Sequence, residues 1–306
     1  MRRSNTLEWS LLWACCIAGA SVNAQTGTDA PERVTGTFGG TYVINAQSIE
    51  VVPRKRSFGF LIQHRFGAFT FDGQAAKQFL GLDLPANIRF AFLYAPRRDV
   101  HLELGRSKNG KVYDLGLKAR LLKQTVGDEM PISVTAWANV ALMSDDFPAV
   151  REQDFFADGV TPFAYRTAHR LSYNTQVIMA RRFSSRISLQ LAPVFIYQNL
   201  VPVGGSNLTV ALPVSGRWRV STKGSLLAEV APLLVGGPLG GGLQPVAIGY
   251  EVATLGHVFQ IVVASSQEIV EQRLYTLPVT AYNEGYFHLG FNIARVLFVK
   301  PKQSRP

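Results

Sequence analysis

Alternation is the feature that most narrows the fold of this chain. Between residues 57 and 299, about twelve segments carry apolar side chains at every second position with polar ones between, the two-residue period of a strand with one apolar and one polar face. Ile187-Ser188-Leu189-Gln190-Leu191 is the cleanest, and Pro193, Phe195 and Tyr197 continue its apolar face. Ile88, Phe90, Phe92 and Tyr94 alternate with Asn87, Arg89, Ala91 and Leu93. Many segments exceed the ~5–6 residues of an ordinary globular strand and reach the ~9–11 that a tilted strand needs to cross a bilayer. One such segment is expected over 164–183. No later stretch reads as a spanning helix, because the most apolar, Leu226 to Leu243, is broken by Glu229, Pro232, Pro238 and several glycines.

The connections alternate as well. Ala95 to Arg98, Gln124 to Met130, Ser184-Ser185, Ser221 to Gly224 and Leu255-Gly256 are short. Thr70 to Pro85, Asp145 to Phe163, Gly236 to Gln244 and Gln267 to Glu284 are long, with two short exceptions on that side, the Asn109-Gly110 turn and the loop near Gly204-Gly205. Short turns at one end and long loops at the other are the signature of a transmembrane antiparallel β-barrel of the outer-membrane type, with turns and both termini periplasmic. Pro213 and Pro232 interrupt the eighth and ninth segments, since proline cannot donate to a ladder. Tyr94, Tyr165, Phe183, Tyr197, Trp218 and Phe298, near segment ends, are candidates for interfacial girdles.

With the apolar faces turned to lipid, the charges fall inside. Arg65, Arg89, Lys118, Arg120, Arg166, Arg170, Arg217 and Arg219 point inward with Glu103, Asp114, Glu229 and Glu251. On the lipid side Arg or Lys costs ~2–4 kcal/mol at the midplane, and a dry soluble core charges several kcal/mol for each unpaired ion. A polar lumen removes both costs. The inward set is more basic than acidic, so an open lumen favours anions. The plainer reading is that the charges pair across strands and brace the wall.

Residues 1–24 read as a secretory signal peptide: Arg2 and Arg3, an apolar core from Leu11 to Val22, and a Val22-Asn23-Ala24 cleavage site. This implies export by the general secretory route. The only cysteines, Cys15 and Cys16, fall within it, so no disulfide framework is expected. The organisation is then 1–24 signal peptide, 25–56 N-terminal segment, 57–299 barrel and 300–306 periplasmic tail.

The sequence offers little chemistry. The nearest Ser–His pattern is His169-Arg170-Leu171-Ser172, and residues three apart on a strand face opposite sides, so the serine gains no base. No G-x-S-x-G elbow occurs. His64, His101, His169, His257 and His288 are far apart in sequence, with no H-x-x-x-H, and neither a metal nor a cofactor is expected. The net charge of +10 is spread over the strands with no dense aromatic-basic run, which argues against nucleic acid.

The chain resembles the bacterial β-barrel family catalogued as a domain of unknown function, series number 5777. The resemblance rests on Gly36-Thr37-Phe38-Gly39-Gly40-Thr41, Ile62-Gln63-His64-Arg65-Phe66-Gly67, Leu80-Gly81-Leu82-Asp83 with Asn87-Ile88-Arg89, and Lys111-Val112-Tyr113-Asp114. It continues through Ala180 to Pro193, Gly256 to Gln260 and Gly290 to Val296. It implies an exported membrane barrel and no reaction. It also includes Gly36 to Val52, ahead of the first strand, which is an extra strand or a lumen plug. The expected function is a passive small-solute channel or binding barrel. The alternatives are a non-conducting scaffold acting through its long loops and a lipid hydrolase. Outer-membrane lipids, the barrel-assembly machinery and small solutes are the expected partners.

Overall fold

A computed structural model describes residues 31–254 and 256–297. The expected signal peptide and the tail at 300–306 lie outside the described residues, as does Phe298. The chain forms twelve antiparallel strands: β1 (Ser57–Thr70), β2 (Asn87–Arg97), β3 (Val100–Ser107), β4 (Val112–Leu122), β5 (Ser133–Met143), β6 (Leu171–Arg182), β7 (Ile187–Leu191 and Val194–Gln198), β8 (Leu208–Ala211 and Val214–Arg219), β9 (Gly224–Val230 and Leu233–Val235), β10 (Val246–Thr254), β11 (His257–Ala264) and β12 (Tyr286–Leu297). Each pairs with its neighbours in sequence, and β12 pairs with β1 through Gln63 opposite Asn292, closing the barrel.

Closure leaves two faces, and the alternation decides which residue takes which. Phe92, Leu104 and Leu115 lie side by side on β2, β3 and β4, exposed on the outer face. Their chain neighbours Ala91, Glu103 and Asp114 are buried inside. Inside, large groups fit where glycine makes room. A Cβ at Gly116 would overlap the Trp137 indole on the adjacent strand, and one at Gly39 would overlap the Glu251 carboxylate.

Strands β7, β8 and β9 are each split at a proline, and the splits line up. The N–H of Ala192 donates to the Pro213 carbonyl (3.0 Å), Leu212 to Pro232 (2.8 Å) and Ala231 to Pro245 (2.9 Å). Each proline withholds its own N–H, while the residue before it keeps the ladder running. Pairing therefore survives on both sides, with Val214 opposite Leu191 and Val194 opposite Ala211. The interruption expected at Pro213 and Pro232 is present, and it extends to Pro193.

Strand β6 is shorter than the expected 164–183. Thr167–Arg170 form a 3-10 turn, and Tyr165 belongs to the loop before it. Tyr94, Phe183, Tyr197 and Trp218 are exposed at or beside strand ends.

Leu104 tests the lipid-facing assignment. Leu104→Arg should lower unfolding stability in lipid vesicles by ~2–4 kcal/mol, read from urea titration. A tolerated arginine would place that face in water.

Candidate functional site: the barrel interior

The inward faces do not enclose open water. Residues 34–52 enter from the short-turn end, where Val34 N–H donates to the Gln124 carbonyl (2.8 Å). They fold back on themselves, with Val43 N–H donating to Ala46 (2.9 Å) and Ser48 N–H to Thr41 (2.9 Å). Phe38, Val43, Ile44 and Ile49 are buried among the inward-facing Trp137, Ile178, Leu227 and Val262. The interior is a packed core with an apolar share; of the two readings the sequence left open for Gly36 to Val52, an extra strand or a lumen plug, the segment folds inside the barrel and a solvated polar lumen is not what it meets.

The finger has no strand partner for most of its backbone, so side chains of the wall must supply hydrogen bonds. Lys118 Nζ donates to the carbonyls of Thr41 (2.8 Å) and Ser48 (3.1 Å). The Glu229 carboxylate accepts from the N–H groups of Ile44 (2.7 Å), Asn45 (2.9 Å) and Ala46 (3.2 Å). Gln190 accepts from Ile49 N–H and donates to the Gln47 carbonyl, both at 2.8 Å. Thr135 donates to Ile49 (2.9 Å), Gln260 to Val43 (2.7 Å) and Asn292 to Ile44 (2.9 Å). Val52 N–H donates to His101 Nδ1 (3.2 Å), and Arg217 donates to the Gly36 carbonyl (3.0 Å). These contacts come from β4, β9, β7, β5, β11, β12, β3 and β8.

A second set of inward charges braces the wall. Arg89 bridges Glu103 (2.8 Å) and Asp114 (2.6 Å), and the Tyr42 hydroxyl of the finger donates to Glu103 (2.6 Å). Arg217 pairs with Glu251 (3.1 Å), which also accepts from Gln260 (3.0 Å). Arg65 is fully buried and donates to Asn292 and to Asn45 Oδ1 of the finger (2.8 Å). Arg120 joins Glu50 of the finger to Asp99, both at 3.1 Å.

Two of the expected inward arginines are not there. Arg166 is exposed beside the 3-10 turn, and Arg170 lies at the rim, bonded to the carbonyls of Met143 and Asp145 and 3.9 Å over the Phe147 ring. Both belonged to the part of the expected strand that folds as loop. Arg219 lies at the last position of β8, half-buried. His169 sits in the same 3-10 turn, where its Nδ1 accepts from Arg166 N–H (3.2 Å), so the strand geometry expected of His169 and Ser172 does not apply. His101 and His288 are both buried, and His288 Nδ1 lies 2.8 Å from the Phe66 carbonyl. Among the described residues no group of three His, Cys, Asp or Glu side chains is placed to hold a metal ion.

Sequence reasoning missed two carboxylates that face the interior from outside the strands. Glu50 is on the finger. Glu271 is on Glu271–Leu274, a single helical turn of the long loop between β11 and β12 that folds into the barrel. Leu274 and Tyr275 pack there against Val194, Ile196, Ala211 and Ala231, beside the proline line. Gln272 donates to Asn139 of β5 (2.8 Å). The available signal was the row of inward neutral donors and acceptors, Thr135, Gln190, Gln260 and Asn292, since such groups imply backbone inside the barrel.

The family described as the membrane bound beta barrel domain (DUF5777) matches residues 38–297. No curated protein sequence matches the chain. Among solved structures, the chain is similar to an outer membrane channel from Pseudomonas putida F1, at 10% identity and TM-score 0.47, over 81% of this chain and 98% of that one. It is similar to the NanC porin at 6% identity and TM-score 0.45, over 78% and 100% of the two chains. The KdgM porin, in a structure with disordered oligogalacturonate, aligns at 5% identity and TM-score 0.44, over 78% and 99%.

Burial pushes the Glu271 carboxyl up to about 7 from an ordinary 4.5, against the opposing pull of the Arg89 guanidinium. The folded chain therefore holds this proton more tightly than the unfolded chain. Its stability is greatest below about 4.5 and falls as pH rises to about 7, a change on the order of 3 kcal/mol. Thermal unfolding at pH 5 and pH 8 should show this loss in the native chain and a much flatter response in Glu271→Gln. An equal slope in both would place the effect elsewhere.

Proposed function

This chain belongs to the family of membrane bound beta barrels, and from that premise we propose that it is an outer-membrane channel for small solutes, held shut by its own N-terminal finger. The supporting observation is that wall and finger complete each other's hydrogen bonds: Lys118 takes finger carbonyls, and Glu229 takes finger N–H groups. A barrel serving only as a wall could fill its interior with apolar side chains. This interior instead carries charges whose partners sit on a separable piece of chain. The asymmetry of short turns and long loops supports a periplasmic finger end and external loops. On this reading the chain is not an enzyme, it is exported by the general secretory route, and lipids and the barrel-assembly machinery are its partners.

The fate of the charges on opening supports anion preference. Arg89 stays paired with Glu103 and Asp114 on the wall. Lys118 and Arg65 lose finger partners and face the vacated lumen. Selectivity is therefore carried by Lys118 and Arg65 more than by Arg89, and not by the rim residue Arg170. A non-conducting scaffold is the second reading, supported by the filled interior and by the aromatic packing of one long loop, where Phe147 stacks on Tyr165 at 4.1 Å.

Planar-bilayer recording distinguishes the two. The native chain should be mostly silent, and the Glu229→Ala/Lys118→Ala variant should open in discrete steps with open time raised roughly tenfold or more, as expected for ~1.4 kcal/mol of lost closure. Glu229→Ala alone, which keeps Lys118, should open with anion preference. Silence of inserted, heat-resistant variant barrels would reject the channel.

A further inference from the structure

The inward face changes character at the short-turn end of β1, β2, β11 and β12. Away from the turns these strands carry Gln63, Arg65, Arg89, Gln260 and Asn292 inward. Beside the turns they present Leu61, Leu93, Val258, Ala294 and Val296. The finger covers this patch without filling it. A cavity of about 240 Å³ remains between them, with Phe38 and Val52 on the finger side and an opening toward the short-turn end. Gly40 of the finger helps to keep the space: a Cβ there would project toward Val258, 3.6 Å away.

The charges around the cavity narrow what it can hold. Glu50 is the one carboxylate in its lining, and it is already engaged by the N–H groups of Thr37 (2.9 Å) and Phe38 (3.4 Å) and by Arg120 (3.1 Å). Arg295 stands between Phe60 and His257 on the neighbouring strands. All three alternate with inward residues, so their side chains lie on the outer face. Among the residues that line the cavity, then, no cation faces inward, and an anion placed there would meet only the Glu50 charge. An ion without a partner is costly in apolar surroundings. An apolar cavity of ~150 Å³ is enough to take up benzene, so this volume suits a neutral apolar body on the order of ten heavy atoms.

We propose that this cavity binds one small neutral apolar molecule, aromatic or short aliphatic, and that filling it holds the finger seated. The second half follows from where the site lies. An empty apolar cavity destabilises the state that contains it, roughly in proportion to its volume, because its lining atoms lack contacts on one side. Only the seated finger completes this cavity, so a molecule that fills it binds the closed barrel in preference to the vacated one. Well above its Kd, the molecule lowers the share of open barrels by the ratio of its concentration to Kd. The inference rests on the reading of a finger-closed barrel. It adds to that reading a closing ligand, distinct from any solute that an open lumen would pass.

Fluorine NMR of fluorobenzene titrated into the full chain in lipid nanodiscs tests the site, with empty nanodiscs reporting the molecule dissolved in lipid. A separate bound resonance is expected, saturating at one equivalent. The para-fluorobenzoate ion, the same ring carrying a charge, should bind roughly tenfold more weakly or not at all. Ala294→Leu fills the chamber from the wall and Gly40→Val from the finger. Each should weaken fluorobenzene roughly tenfold or more, so a folding defect in one variant leaves the other to decide. Proteolysis of residues 31–56 in the same samples reads the finger. With fluorobenzene at about ten times Kd, digestion of the native chain should slow roughly tenfold. A protected finger with no saturable resonance, or native affinity in both filling variants, would overturn the site. Equal affinity for the benzoate would overturn its neutral character, and saturable binding that leaves digestion unchanged would overturn the closing role. Rapid digestion of the finger in the ligand-free native chain would instead remove the closed-barrel reading, and this site with it.

Discussion

The Lys118 ammonium sits at full burial with finger carbonyls as its partners, and the closed interior depends on exchanges of this kind. A buried cation costs several kcal/mol unless its donors are satisfied. Among the described residues, no wall carboxylate lies within ion-pair distance of Lys118 or Arg65. The finger supplies main-chain carbonyls to one and the Asn45 side chain to the other. Glu229 shows the same logic with the sign reversed, its carboxylate held by three consecutive N–H groups. Wall and finger are each incomplete alone. Any state in which the finger has left must be wet, because water is the only other source of those hydrogen bonds. The finger therefore acts as a replacement for lumen water, and closing the barrel exchanges one set of polar partners for another.

The proline line explains where the second filling element rests. Below it, β7, β8 and β9 pair with one another and onward to β10. Above it, their upper pieces pair among themselves and with β6, and Leu233–Val235 pairs only with β8. This gives the upper wall freedom to depart from the lower one. Its inward residues there are Val194, Ile196 and Ala211, which Leu274 and Tyr275 cover. Three neighbouring prolines, Pro193, Pro213 and Pro232, each withholding one ladder bond, form a crease that Pro245 continues ahead of β10, and the loop between β11 and β12 packs into it.

Much of this was legible in the sequence because a strand's period is two. Once Leu104 is known to face lipid, Glu103 and Gly105 must face inward, and ten of the twelve expected inward charges were placed on strands by that rule alone. Arg166 and Arg170 failed because alternation carries through a short loop by chance, and nothing in Arg166-Thr167-Ala168-His169 marks the 3-10 turn. The finger was harder. It has no period, since its two sides meet different walls and its side chains serve several directions at once. Its presence was encoded on the strands instead, in Gln190, Gln260, Asn292 and Thr135, which neither pair as ions nor face lipid. Glu50 and Glu271 were invisible for the same reason: their elements do not belong to the sheet.

Those two carboxylates change the electrostatic reading of the closed state. The strands alone suggested a basic lumen. With the finger seated, Glu50 answers Arg120, and with the loop seated, Glu271 adds a carboxyl whose through-space partner is Arg89. The positive surplus is thus a property of the wall that Glu50 of the finger reduces, while burial holds the Glu271 carboxyl protonated up to about 7. On the channel reading, a lumen less basic when filled than when vacated favours refilling, because like charges facing one another across water repel until the finger's carbonyls and its Glu50 carboxylate return. An anion entering from solution supplies the same neutralisation. On the same channel reading, finger and solute compete for one set of cations, so opening and anion occupancy of the vacated lumen are thermodynamically linked: each makes the other more favourable.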